Sequence, residues 1–109
     1  MIKIRYLPEE FSVTITGHAG SDEAGKDLVC CAVSTIAQCM VHNLEELNGA
    51  MIKKAEYKVQ PGNFHLRVVP CEFRRITIRT IYDVFISSLQ FVADNYPDYI
   101  DMEEEKNGD

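Results

Sequence analysis

The sequence predicts a two-layer α+β domain, in the order β-β-α-β-β-α, with two helices packed on one face of a four-stranded, mainly antiparallel sheet. Three observations carry this. Short stretches alternate apolar and polar side chains, the period of a strand. Two longer stretches repeat apolar side chains every three or four residues, the period of a helix. The 109 residues, 46% apolar and 26% charged, suit one domain able to bury its own core. Residues 1–102 are expected to form that domain, and the acid-rich segment 103–109 a disordered tail.

Ile2, Ile4 and Tyr6 alternate with Lys3 and Arg5, which predicts a first strand over 2–6. Leu7-Pro8-Glu9-Glu10 is turn material. Phe11, Val13 and Ile15 then alternate with Ser12, Thr14 and Thr16, so a second strand should return as a hairpin. A glycine-bearing loop follows, from Gly17 to Lys26. Val29, Val33, Ile36, Met40, Leu44 and Leu47 next recur at helical spacing, and Leu28, Ala32, Ala37 and Val41 widen the stripe. So wide a stripe predicts a mostly buried helix. Asp27 is placed to cap its start, and Asn48-Gly49 to close it.

Lys54–Val59 and Asn63–Val69 read as the next two strands, joined by the turn Gln60-Pro61-Gly62-Asn63. From Arg74 to Tyr96 the residues Ile78, Ile81, Tyr82, Phe85, Leu89 and Val92 follow helical spacing. The β-branched run at 76–81 leaves the start of that helix open. Tyr96-Pro97 stops it.

Acids outnumber bases 17 to 11, a net charge of −6. Duplex-binding proteins carry a basic stripe, and the adjacent basic pairs here are only Lys53-Lys54 and Arg74-Arg75, so direct nucleic-acid binding is not expected. The start of the chain has no apolar run of signal-peptide type. The stretch 28–44 is interrupted by Ser34, Thr35, Gln38, His42 and Asn43, so no membrane association is expected. The expected compartment is the cytoplasm, where thiols stay reduced.

Four cysteines stand at 30, 31, 39 and 71, and three histidines at 18, 42 and 65. None forms a Cys-x-x-Cys pair or a zinc-ligand spacing, so neither a metal nor another cofactor is expected. His18 falls at the end of a strand, Cys30 in the first turn of a helix, and Gly20 and Gly25 lie in the loop between. A thiolate, not a thiol, is the nucleophile; a helix N-terminus stabilises the anion, and a neighbouring imidazole exchanges its proton. Free N–H groups of the first helical turn would serve as oxyanion donors. On spacing alone, however, Cys30 reads as a core residue, as do Cys31, Cys39 and Cys71, and His18 as an ordinary loop residue.

Gly17-His18-Ala19, followed by Asp27-Leu28-Val29-Cys30-Cys31-Ala32-Val33-Ser34, resembles the signature of the ribosomal-processing cysteine protease family Prp. The usual form there is Gly-His-Ala, a glycine-containing loop, then Asp-Ile-Val-Cys-Ala-Ala-x-Ser. The element order and the ending Asn95-Tyr96-Pro97-Asp98-Tyr99 fit as well. The resemblance implies His18 as the catalytic histidine, Cys30 as the nucleophile, and Asp27 and Ser34 as supporting residues. Leu28 stands for Ile and Cys31 for the usual Ala.

It further implies a small cytoplasmic endopeptidase, usually a homodimer, whose partner is the N-terminal peptide of a large-subunit ribosomal protein precursor, L-twenty-seven. The segment 19–26, with Gly20 and Gly25, reads as a lid. Two rival readings remain: a non-enzymatic ribosome-associated assembly module, and a thiol redox enzyme pairing Cys30 with Cys31 or Cys39.

Overall fold

A computed structural model describes residues 1–17 and 24–105, with the backbone alone for 24–27. The elements are β1 (Ile2–Leu7), β2 (Ser12–Thr16), α1 (Ala24–Glu46), β3 (Ile52–Gln60), β4 (Asn63–Pro70), α2 (Arg75–Asn95) and β5 (Ile100–Glu104). They make one five-stranded sheet in the order β3-β4-β2-β1-β5. The α+β class and the two-helix layer are as the sequence predicts. The sheet has one strand more than expected.

β1 and β2 pair antiparallel, with Ile4 opposite Ile15 and Tyr6 opposite Val13. β2 pairs β4, and β4 pairs β3, again antiparallel. The additional strand, β5, lies parallel to β1, with Ile2 opposite Ile100 and Ile4 opposite Met102. Its Ile100 is buried while Asp101 is exposed, a period of two that the surrounding acids obscure. The strand reaches Glu104, two residues into the expected tail, and the Glu105 N–H donates to Tyr6 O at 2.9 Å.

Alternation makes one sheet face apolar. Ile2, Ile4, Tyr6, Val13, Ile15, Phe64, Leu66 and Val68 are all buried there. They pack against Val29, Val33, Ala37, Met40 and Leu44 of α1 and Ile78, Tyr82, Ile86 and Leu89 of α2. Each Val, Leu, Ile, Phe or Met among them contributes about 1.5–3 kcal/mol when fully buried. The opposite sheet face, with Lys3, Arg5 and Arg67, is open to solvent.

Helix α1 is not buried all round. Leu28 is 65% exposed, and Cys31 and Cys39, expected in the core, are exposed too. The reason is geometric: one sheet covers one side of the helix and α2 one flank, so the wide stripe has more apolar surface than partners. By length and composition Leu28–Glu46 and Arg75–Asn95 are apolar enough to cross a membrane; in this fold each lays one face on the sheet.

Pro8–Glu10 form a short 3-10 turn between β1 and β2. Phe11, read from its pattern as a strand residue, closes that turn in the left-handed region at φ 53°. Burial of its ring compensates: it meets Tyr82 edge-on at 6.0 Å, and the Arg75 guanidinium sits 5.0 Å from its centroid.

Candidate active site

Helix α1 begins at Ala24. Asp27, expected as its cap, is therefore the fourth helical residue, and Cys30 sits in the second turn rather than the first. This changes the electrostatics. The unsatisfied N–H groups belong to the start of a helix, and the dipole effect fades within one turn. The Cys30 amide lies inside the helical ladder and is no free oxyanion donor. The N–H groups of this helix that have no intrahelical acceptor are those of Ala24–Asp27, one turn away.

Cys30 is partly buried against the core, next to Val29 and Val33. It lines a cavity of about 430 Å³ between α1 and the end of the sheet. Ser34, one turn further along α1, lines it as well, as do Ala37 and Gln38. Ile2, Ile15 and Gly17 form the floor where β1 begins and β2 ends. The far wall is the tip of the β3–β4 hairpin, Val59 to Phe64.

Gly17 has φ 88°, and a Cβ there would overlap the Met1 carbonyl oxygen. Its N–H donates to Gly62 O at 3.0 Å, tying the end of β2 to the hairpin tip. Both requirements, a left-handed backbone and the absence of a Cβ, explain glycine at this position. The chain thus leaves β2 beside the cavity, immediately before His18.

His18 and Gly20 lie outside the described residues. The expected lid at 19–26 falls partly there, at 19–23; its remainder, Ala24, Gly25 and Lys26, is helix rather than loop. The other histidines are elsewhere. His65 Nδ1 lies 3.0 Å from Thr14 Oγ1 on the open sheet face, and His42 is on the outer side of α1, 3.8 Å from Glu46. Among the described residues no three His, Cys, Asp or Glu side chains come together as metal ligands.

The hairpin tip was legible in sequence as a turn, but nothing local to it signals that Gln60 and Asn63 stand opposite Cys30. That neighbourhood exists only once β2 and β4 pair.

The family model of the cysteine protease Prp matches residues 1–101. This chain belongs to that family. It is a cysteine protease, as the resemblance of its Gly-His-Ala and Asp-Leu-Val-Cys blocks implied. Two crystal structures of the essential ribosomal processing protease Prp from Staphylococcus aureus, one with a substrate peptide and one with a covalently linked product peptide, superpose with a TM-score of 0.78 at 22% identity. Each match covers 96% of this chain and 100% of the other. A Streptococcus mutans structure matches with a TM-score of 0.67 at 24% identity, over 94% of this chain and 90% of its own. These likenesses show the Prp fold, including the layer of two helices on one sheet. No curated protein matches the sequence.

Proposed function

We propose that this Prp-family protease removes the N-terminal extension of the precursor of large-subunit ribosomal protein L-twenty-seven in the cytoplasm, with Cys30 as nucleophile and His18 as general base. One observation carries the assignment of residues: a partly buried thiol, Cys30, opens on a cavity floored by Gly17, the residue before His18. Cys31 is exposed, and neither His42 nor His65 lines that cavity.

In the first half-reaction the Cys30 sulfur bonds to the carbonyl carbon of the scissile peptide and its proton passes to His18. The C–N bond then breaks, His18 protonates the departing amine, and a thioester remains. In the second half, water gives a proton to His18 and its oxygen to the acyl carbon, the C–S bond breaks to release the new carboxyl terminus, and the proton returns from His18 to the sulfur. Asp27 and Ser34 stand one turn to either side of Cys30 in α1, and Ser34 lines the same cavity; both are read as supporting residues.

The protein is further read as a homodimer. Ile76, Val84 and Phe91 along one side of α2 are 84%, 61% and 70% exposed, an apolar surface that suits a second copy. Sedimentation of the purified chain at micromolar concentration tests this, and a monomer there rejects it.

The substrate is tested by mixing the enzyme with the extended precursor and with its trimmed form, followed by mass spectrometry. One cut, at the extension boundary of the precursor alone, is expected. An intact precursor, or a cut elsewhere, removes the substrate assignment.

A further inference from the structure

The sheet has two edges, and they are built differently. β5 is short and carries Asp101, Glu103 and Glu104, charges of the kind that keep an edge from pairing. β3, at the other edge, runs nine residues, Ile52–Gln60. Among the described residues no strand pairs with its outer side. Its one irregularity, between Ile52 and Lys54, lies at the end far from the cavity, and from Lys54 to Gln60 the ladder with β4 is unbroken.

The register says which backbone groups are free. Gln60 faces Asn63 across the two-residue turn Pro61-Gly62. On the other side of β4 the Gly17 N–H donates to Gly62 O and the Val68 N–H to Phe11 O. Gly62, Phe64, Leu66 and Val68 therefore bond toward β2, and Asn63, His65 and Arg67 toward β3. Gln60 and Asn63 are thus the kind of pair that exchanges both hydrogen bonds directly. Alternation then makes Lys58 and Glu56 bonded to β4 as well. Val59, Tyr57 and Ala55 take the other class, with N–H and C=O directed away from β4 into the open edge.

The side chains of these three residues share a face with their cross-strand partners Phe64, Leu66 and Val68, which are buried beneath the helices. Yet Tyr57 and Val59 are each 49% exposed. The Tyr57 hydroxyl donates to Glu45 of α1, so this face of β3 lies beside the helix. The C-terminal end of the same strand reaches the Cys30 cavity, which Val59 and Gln60 line.

We propose that the outer edge of β3 is the platform for substrate: an extended peptide pairs with the backbone of Ala55, Tyr57 and Val59 as an added strand, turns alternate side chains to the face shared with Tyr57 and Val59, and so delivers its scissile bond to Cys30. This rests on the protease reading above and adds the mode of recognition. Strand addition recognises an extended backbone through its amides and specifies side chains only at alternate positions. It therefore selects an unfolded terminal extension and excludes a folded domain.

The test uses a fluorescein-labelled synthetic peptide spanning the extension boundary of the proposed precursor. Single backbone N-methyl groups are placed at successive residues at least two away from the scissile bond. Binding is read by anisotropy on the Cys30→Ala protein, and cleavage on the active enzyme.

The expected result is a period of two: N-methylation at alternate residues weakens binding about tenfold or more, while the residues between stay within about twofold. Two results overturn the platform: an unmethylated peptide that does not bind, or one that binds with no alternation among its methylated forms. Failure of the protease reading is separable. A peptide cut normally but with a flat methylation profile rejects the platform and keeps the protease; one bound with alternation but never cut keeps the platform and rejects the assigned reaction.

Discussion

The two ends of the β1–β2 hairpin face the same helices and are finished in opposite ways. At the end holding Tyr6 and Phe11 the space is filled. Tyr6 and Tyr82 stack at 6.0 Å with an interplanar angle of 9°, and Phe11 closes on Tyr82 edge-on. Tyr6 donates its hydroxyl to Asp83 at 3.0 Å, Arg79 holds Asp83 at 3.2 Å, and Glu9 stands 3.6 Å from Arg79. At the end holding Ile2 and Gly17 a cavity of about 430 Å³ remains beside Cys30. One end stores stability in aromatic packing. The other gives up packing for access to a thiol, and a substrate needs that access.

If this division is right, substitutions at the open end should change turnover and leave melting alone. The largest effect belongs to Cys30→Ala. Cleavage of the precursor should fall on the order of 10⁴-fold or more, as when other covalent proteases lose their nucleophile, with an unchanged melting temperature. Cys31→Ala should keep most activity; interchange of the two results would move the nucleophile. Next is His18→Ala, expected to lower kcat by about 10²–10⁴-fold, the usual contribution of general acid–base catalysis. Full activity of that variant at neutral pH would remove His18 from the reaction.

The closed end should answer in the opposite way. Tyr82 is fully buried, so Tyr82→Ala should cost about 3–5 kcal/mol in chemical denaturation, while kcat per folded molecule stays near that of the parent. A large loss of kcat in protein shown to be folded would mean that the two ends are coupled.

The smallest effect is a pH dependence. Burial, and for Tyr6 also its hydrogen bond to Asp83, raises both phenols well above the ordinary value of 10.0. Among the described residues the Tyr82 hydroxyl has no hydrogen-bond partner, so desolvation dominates there. A group held in its protonated form by the fold gives stability that is whole below its unfolded pKa and is lost as pH rises beyond it. The melting temperature should therefore decline above about pH 10, and Tyr82→Phe should flatten that decline. An alkaline profile identical in the variant would remove Tyr82 as a cause.

Much of this was legible in the residues themselves. The period of two at Ile2, Ile4 and Tyr6, the turn at Pro61-Gly62 and the stop at Tyr96-Pro97 are local signals, and they placed four strands and two helices. The motif blocks around His18 and Cys30 were sufficient to indicate the family. β5 escaped because its partner, β1, is almost the whole chain away, and its acids resemble those of a tail. The start of α1 escaped because Asp27 is a good capping residue wherever it stands, and Gly25 weakens any local helix signal.

Sequence by itself determined the periods, the turns and the order of chemical groups along the chain, because these depend on backbone preferences over a few residues. Tertiary structure alone decided which cysteine of the adjacent pair meets the cavity, which faces of α1 stay exposed, and which sheet edge lies open beside Cys30. Those are properties of surfaces, and a surface is buried or exposed only in relation to what the rest of the chain, folded back from a distance, places against it.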